Sequence, residues 1–237
     1  MSEQDRKVAI ITGGSRGIGA GVVAEYRRRG WAVVATSRTI RPAADPAVVT
    51  VDGDISDPAT TDRVISGALE SFGRIDTLIN NAGVFISKRF TDYTVDDYAS
   101  AVGINLTGFF WLTQRAIAEM LKRGSGHIVN ITTTLAEYAN SSTPSVLTSL
   151  TKGGLVSATK SLAIEYAGRG IRVNAVSPGI IQTPEHAPKT YAALAELHPL
   201  GRVGQVSDIV EGILFLESSP FITGEILHID GGQIAGH

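Results

Sequence analysis

The run Thr12-Gly13-Gly14-Ser15-Arg16-Gly17-Ile18-Gly19 constrains this chain more than any other stretch. It follows a short apolar segment, Val8 to Thr12, and opens a segment of helical spacing, Gly17 to Arg29. Four apolar residues and a threonine closed by glycines read as a strand buried on both faces. Ile18, Val22 and Val23 then mark the inner face of a helix, and Gly30 suits its C-terminal cap. Glycine at 13 can take dihedrals that other residues resist. Glycines at 17 and 19 let backbone approach a ligand and let the helix pack closely on the strand. The amino end of that helix offers free N–H groups and a positive dipole, which suit a diphosphate.

The same alternation continues along the chain. Further strands are expected at Trp31 to Thr36, Val48 to Val51, Ile75 to Asn80, Ile128 to Thr132, Arg172 to Ser177 and Ile226 to Ile229. Helices are expected at Pro58 to Phe72, Val95 to Arg123 (in two pieces meeting near Asn105 to Gly108), Thr148 to Gly168 and Val206 to Leu216. Asp57-Pro58 reads as an N-cap followed by proline at the first helical position. Pro184, Pro188 and Pro199 break the 183–199 stretch, leaving room for a short helix around Tyr191 to Leu197. Strands alternating with helices predict an α/β fold: a single Rossmann-like, doubly wound parallel sheet of about seven strands, covered by helices on both faces. No repeat or linker divides the chain, so residues 1–237 are expected to form one domain.

Composition narrows the function classes. Twenty-one Lys and Arg against 23 Asp and Glu give a net charge of −2, so no footprint for nucleic acid or anionic lipid is expected. The absence of cysteine excludes disulfides, thiolate catalysis and cysteine-ligated metals. His127, His228 and His237 form no metal-binding pattern, and no catalytic metal is expected. Met1 to Lys7 is polar, and no apolar run approaches the roughly 18–20 residues of a membrane span. A cytoplasmic location is the expectation.

The Thr-Gly-x-x-x-Gly-x-Gly spacing resembles the short-chain dehydrogenase/reductase family, in particular 3-oxoacyl-ACP-reductase-like members. The resemblance continues at Asn80-Asn81-Ala82-Gly83, at Asn105, at Lys152, at Pro178-Gly179, at Thr223-Gly224 and at Asp230-Gly231-Gly232. It implies hydride transfer between a nicotinamide dinucleotide and a small carbonyl or alcohol substrate. Cofactor contacts are implied for Gly13, Ser15, Arg16, Gly17, Ile18 and Gly19, for Asp54 and Ile55, for Asn81, Ala82 and Gly83, for Lys152, and for Pro178, Gly179, Ile181 and Thr183.

The end of the second strand selects the nucleotide. A site preferring NAD places an acid there for the ribose 2′-hydroxyl. Here Ser37 and Arg38 stand instead, with Arg16 in the glycine turn. Two guanidiniums suit a 2′-phosphate that a carboxylate would repel, so NADP is the expected cofactor.

The family's acid is a tyrosine four residues before its lysine, and that position holds Thr148. No Tyr-x-x-x-Lys occurs in the chain. A threonine hydroxyl is a far weaker acid than a phenol of pKa about 10, and general acid help is worth about 10²–10⁴-fold in rate. The resemblance places the substrate-orienting hydroxyl at Thr133 and the supporting amide at Asn105. Three readings follow. Tyr138, ten residues before Thr148 in the same loop, replaces the missing acid; or Lys152 or a water on the Thr133 and Thr148 hydroxyls donates; or the chain binds NADP without catalysis.

Residues 183–199 resemble the family's substrate lid and carry His186, Tyr191 and His198. No cationic cluster there points to a polyanionic substrate. The resemblance also implies a homo-oligomer, a tetramer or dimer, through helices spanning roughly 107–123 and 148–168. Leu155, Val156, Ala158, Thr159, Leu162, Ala163 and Tyr166 cover more than one face of the second.

Overall fold

The computed structural model describes residues 6–184 and 191–236. Seven strands form one parallel sheet: β1 (Val8–Thr12), β2 (Ala32–Ser37), β3 (Val48–Asp52), β4 (Thr77–Asn80), β5 (Gly126–Ile131), β6 (Ile171–Pro178) and β7 (Ile226–Ile229). Their order across the sheet is β3-β2-β1-β4-β5-β6-β7. The order reverses between β1 and β4, whose registers pair Ala9 with Thr77 and Ile11 with Ile79. In such a sheet the crevice beyond the carboxyl ends at that switch is where ligands bind.

Helices cover both faces: α1 (Gly17–Arg28), α2 (Pro58–Phe72), α3 (Val95–Val102), α4 (Phe109–Arg123), α5 (Val146–Tyr166), α6 (Tyr191–Ala195) and α7 (Val206–Ser218). Alternate residues of each strand feed two separate cores. Val8, Ile10, Leu78, Ile128 and Val173 pack with α2 and α4. Ala9, Ile11, Ile79, Val129 and Val176 pack with α1 and α7. Two buried faces explain why these strands read as continuous apolar runs and not as alternations.

Local signals account for the element ends. Asp57 accepts the Ala59 N–H at 2.9 Å and Pro58 opens α2, which Gly73 closes at φ 70°. Gly30, at φ 83°, ends α1. The expected break in the 95–123 helix is a π-helical turn, Gly103–Gly108, between α3 and α4. It has a packing cause: a Cβ on Gly108 would lie 2.7 Å from an Ile55 methyl, so this face presses on the chain after β3. β4 is shorter than expected: it starts at Thr77, after Asp76, whose side chain pairs with Arg74 and accepts the Val8 N–H. α5 starts two residues early, at Val146. Residues 185–190 of the expected lid, with His186, lie outside the described residues, as does His237. Among the described residues no helix is long and apolar enough to cross a membrane, and no group of His, Asp and Glu could hold a metal.

Candidate active site

A cleft of about 980 Å³ runs along the carboxyl ends of the strands. Its floor begins in the glycine turn. Gly13 and Gly17 have φ of 67° and 52°, the left-handed region that glycine adopts without strain. A Cβ on Gly19 would lie 2.1 Å from the Gly13 carbonyl oxygen. That contact, made under the cleft, lets α1 start close to β1. Gly13, Ser15, Arg16, Gly17 and Ile18 line the cleft, whereas Gly19 acts from beneath it.

The turn is tied to the neighbouring strand. Thr12 Oγ1 accepts the Asn81 and Ala82 N–H groups at 2.9 and 2.8 Å, and Asn81 Nδ2 donates to the Thr12 carbonyl at 2.8 Å. Asn81, Ala82 and Gly83 thereby form the middle of the cleft wall. Thr12 stands in the glycine motif, but that spacing alone assigns it no role; its neighbour across the switch point supplies one.

At the β2–β3 end the cleft is lined by Ser37, Arg38, Asp54 and Ile55, with Arg16 on the turn. Arg38 is exposed. Burial works against ionisation of Asp54, but the Ser56 N–H and O–H and the Arg38 charge hold its carboxyl below the ordinary value. This end is therefore cationic at the rim, with a committed carboxylate behind it.

At the opposite end stand Thr133, Thr148 and Lys152. Three consecutive threonines follow β5, and their bonds separate them. Thr132 donates to the Val176 carbonyl at 3.1 Å and Thr134 to Gln233 Oε1 at 2.9 Å. Thr133 Oγ1 accepts the Leu135 N–H at 3.3 Å, which leaves its proton for the cleft. Thr148 is buried and accepts the Ile86 N–H at a long 3.4 Å. One turn further along α5, Lys152 Nζ donates to the Ile131 carbonyl at 2.7 Å. Burial pushes the Lys152 pKa down to about 8.

Asn105 is 1% exposed and does not line the cleft. From the π-helical turn its Oδ1 accepts the Val84 N–H at 2.9 Å, and its Nδ2 donates to the Val84 carbonyl and to Thr151 Oγ1. It is a positioning residue that fastens the chain after β4 to α5. Tyr138 is half-buried and lies outside the lining. A 3₁₀ turn at Thr134–Ala136, with the Tyr138 N–H bonded to the Thr134 carbonyl, redirects the loop before it reaches that residue. The loop still contributes Asn140 and Thr143 to the wall.

Pro178, Gly179, Ile181 and Thr183 close the fourth side with Leu194 and Leu197 of the lid. His198 is 3% exposed and joins the two parts. Its Nε2 accepts the Ile180 N–H at 3.0 Å while Nδ1 faces the Leu194 carbonyl at 3.0 Å, so the proton sits on Nδ1. Gln233 is the other residue the sequence did not reveal: its contact with Thr134 spans 99 positions.

A family profile described as "Enoyl-(Acyl carrier protein) reductase" matches residues 13–233. A 3-oxoacyl-[acyl-carrier-protein] reductase of Synechocystis sp. is 32% identical over 247 residues, covering 99% of both chains. A structure of ElxO with NADP bound superposes with a TM-score of 0.91 at 30% identity, covering 98% of this chain and 100% of that one. The 3-ketoacyl-(acyl-carrier-protein) reductase of Brucella melitensis, complexed with NADH, gives 0.89 at 31% identity, covering 98% and 99%. Matched over nearly its whole length and in the order of its motifs, the chain belongs to the short-chain dehydrogenase/reductase family of oxidoreductases.

Proposed function

We propose that this protein is an NADP(H)-dependent oxidoreductase acting on a small carbonyl or alcohol, with a proton donor other than the usual tyrosine. One observation carries the reading: a single cleft joins the Arg16 and Arg38 rim, the glycine turn and the Thr133, Thr148 and Lys152 cluster. The residues fit a dinucleotide. The Gly13–Gly19 contact leaves the amino end of α1 open to a diphosphate, and the Arg16 and Arg38 guanidiniums on the same cleft would suit a 2′-phosphate. Bound there, the cofactor supplies or takes a hydride. This chain's own residues do the rest. Asn81 to Gly83 support the middle of the cofactor, Pro178 to Thr183 border its reacting end, and the Thr133 and Thr148 hydroxyls orient the substrate oxygen. Leu194 and Leu197 of the lid exclude water.

The second reading, an NADP binder without turnover, is favoured by the replacement of the phenol at Thr148. One experiment separates them. NADPH and NADH are titrated by fluorescence, then NADPH consumption is followed across aldehydes and ketones. Tight NADPH binding with turnover supports the enzyme, and tight binding without turnover supports the binder. Preference for NADH removes the role given to Arg16 and Arg38.

We further propose that residues 1–237 act as one domain and that the chain self-associates. Phe110 on α4 and Leu150 and Ile164 on α5 are 54%, 59% and 81% exposed, an apolar surface consistent with a partner copy.

A further inference from the structure

Among the described residues, Lys152 is a buried cation without a carboxylate partner. It is 7% exposed, it lines the cleft, and its ammonium donates to the Ile131 carbonyl at 2.7 Å. Among the described residues, the charged ones lining the cleft are Arg16, Arg38, Asp54 and Lys152, and the first three follow β1, β2 and β3, away from α5. Among the described residues, the groups around Lys152 are neutral. Ile131 and Thr133 come from β5 and its loop, Thr148 from its own helix, and Asn105 from the π-helical turn. Glu137, in the adjoining loop, is held by His228 at 2.9 Å and lies outside the lining. Nor does Tyr138 line the cleft.

Space has been kept around the amine. A Cβ on Gly83 would lie 2.9 Å from Lys152 Nζ and 3.2 Å from Asn105 Oδ1. Position 148, which lines the cleft one helical turn before the amine, carries threonine and so no ring. A lysine and the residue four positions before it share a helix face, so the Thr148 hydroxyl and the Lys152 ammonium serve the same part of the wall.

We propose that Lys152 is itself the general acid of this protein, protonating the substrate oxygen in the place of the absent phenol, while Thr148 orients that oxygen. The proposal rests on the oxidoreductase reading above. The balance is simple. The carbonyl carbon gains a hydride from the reduced nicotinamide and the carbonyl π pair moves onto oxygen. That oxygen takes a proton from the ammonium, and the resulting amine recovers one from water. One hydride and one proton are added, and no other redox partner is consumed.

Geometry makes the acid available, and burial brings its pKa to about 8, near enough to neutral for proton transfer. An exposed lysine at about 10.4 would be a weaker acid. The sign is definite: the donor is loaded below its pKa, so reduction slows as pH rises through about 8.

The test uses the full chain, NADPH and 4-nitrobenzaldehyde. Lysine 13Cε shifts are followed against pH without cofactor, with Lys152 assigned by its loss in Lys152→Arg. The expected midpoint is near 8, and the rate of NADPH oxidation should fall with the same midpoint. Lys152→Arg keeps a cation that does not release its proton, so it should retain NADPH binding within several-fold and lose about 10²-fold or more in rate. A midpoint like that of free lysine, a rate independent of pH from 7 to 9, or an active Lys152→Arg overturns the proposal. So does no turnover of this activated aldehyde while NADPH is bound. If wild type binds neither NADPH nor NADH, the oxidoreductase reading itself fails, and the lysine titration still records the buried amine.

Discussion

The Thr12 hydroxyl accepts the Ala82 N–H at 2.8 Å, joining the carboxyl end of β1 to that of β4 at the point where the strand order reverses. It also accepts the Asn81 N–H. Thr12→Val keeps the shape and removes the acceptor, leaving the part-buried Ala82 N–H without that partner. An unsatisfied buried donor costs about 1–3 kcal/mol. We expect a lower melting temperature and weaker NADPH binding, with Thr12→Ser restoring both. Thermal denaturation with and without NADPH measures the two together. Unchanged melting would mean that the bond contributes nothing.

Nucleotide choice is predicted to reside in Arg38. It lines the cleft, is exposed, and its charge reaches Asp54. Charge-assisted bonds to a phosphate contribute about 1.5–3 kcal/mol, so Arg38→Ala should weaken NADPH binding by roughly 10–100-fold and leave NADH nearly unchanged. Fluorescence titrations of both coenzymes against both proteins measure the ratio. An equal loss for the two coenzymes would assign Arg38 a role outside nucleotide discrimination.

Much of this architecture was legible because the signals are local. Val8–Thr12, Pro58–Phe72 and Ile226–Ile229 have the expected bounds, since a short apolar run or an Asp-Pro cap needs no distant partner to declare itself. The cleft residues of the glycine turn and of Asn81 to Gly83 were legible for the same reason. The loop from Thr133 to Leu147 was not, because it has no periodicity and its path depends on a 3₁₀ turn and on Thr134 meeting Gln233. Proximity in sequence to Thr148 made Tyr138 look close to the chemistry, but that turn leaves it outside the cleft lining. His198 was equally opaque, since its partners Ile180 and Leu194 are set by the fold of the lid.

Away from the cleft, acid sensitivity is predicted from His127 and Glu217. Glu217 Oε2 meets Tyr26 OH, Thr77 Oγ1 and His127 Nδ1 at 3.2, 2.9 and 2.9 Å. Asn174 is oriented by the Glu225 N–H on its Oδ1, so its Nδ2 donates to His127 Nε2. The histidine is therefore neutral, with its proton on Nδ1, and a second proton would confront a donor. Burial holds its pKa below the ordinary 6.5 despite Glu217, with Lys7 and Arg172 also opposing charge. Burial would raise Glu217, but the His127 contacts keep it below its ordinary value. Both depressed values act in one direction. Stability is fully present above about pH 6.5, declines below it as the unfolded chain takes up the histidine proton, and declines again below about 4.5 as Glu217 follows. Melting temperature against pH should fall from 6.5 downward, and His127→Gln should flatten the first part of that slope. A slope unchanged in the variant would clear His127.

Gly179 is predicted to tolerate no side chain. A Cβ there would lie 2.8 Å from His198 Nε2 and 2.9 Å from Asp230 Cα, one on the lid and one on the chain after β7. Neither can yield cheaply, because His198 is fixed by Ile180 and Leu194, and the Asp230 carboxylate holds the Gly232 and Ile234 N–H groups. Overpacking of this kind costs about 1–3 kcal/mol. Gly179→Ala should lower the melting temperature and raise the KM for a carbonyl substrate through the displaced lid. A wild-type KM in a stably folded variant would separate the lid from the His198 contact.

The substitution that most directly interrogates the chemistry is Thr148→Tyr. Thr148 lines the cleft one helical turn before Lys152, and among the described residues its Oγ1 holds only the long 3.4 Å bond from the Ile86 N–H, so little is lost with the hydroxyl. A phenol there would face the same wall as the ammonium, whose charge stabilises phenolate and draws the phenol toward neutral pKa. General acid help of the usual size predicts a rise of up to about 10²–10⁴-fold in carbonyl reduction. The gain should be smallest where Lys152 already serves, and the fall in rate above pH 8 should shift as the proton passes through the phenol. Steady-state NADPH oxidation by both proteins from pH 6 to 9 measures the gain and the shift. No gain, in a variant that binds NADPH as wild type does, would show that position 148 is not where the acid is missing.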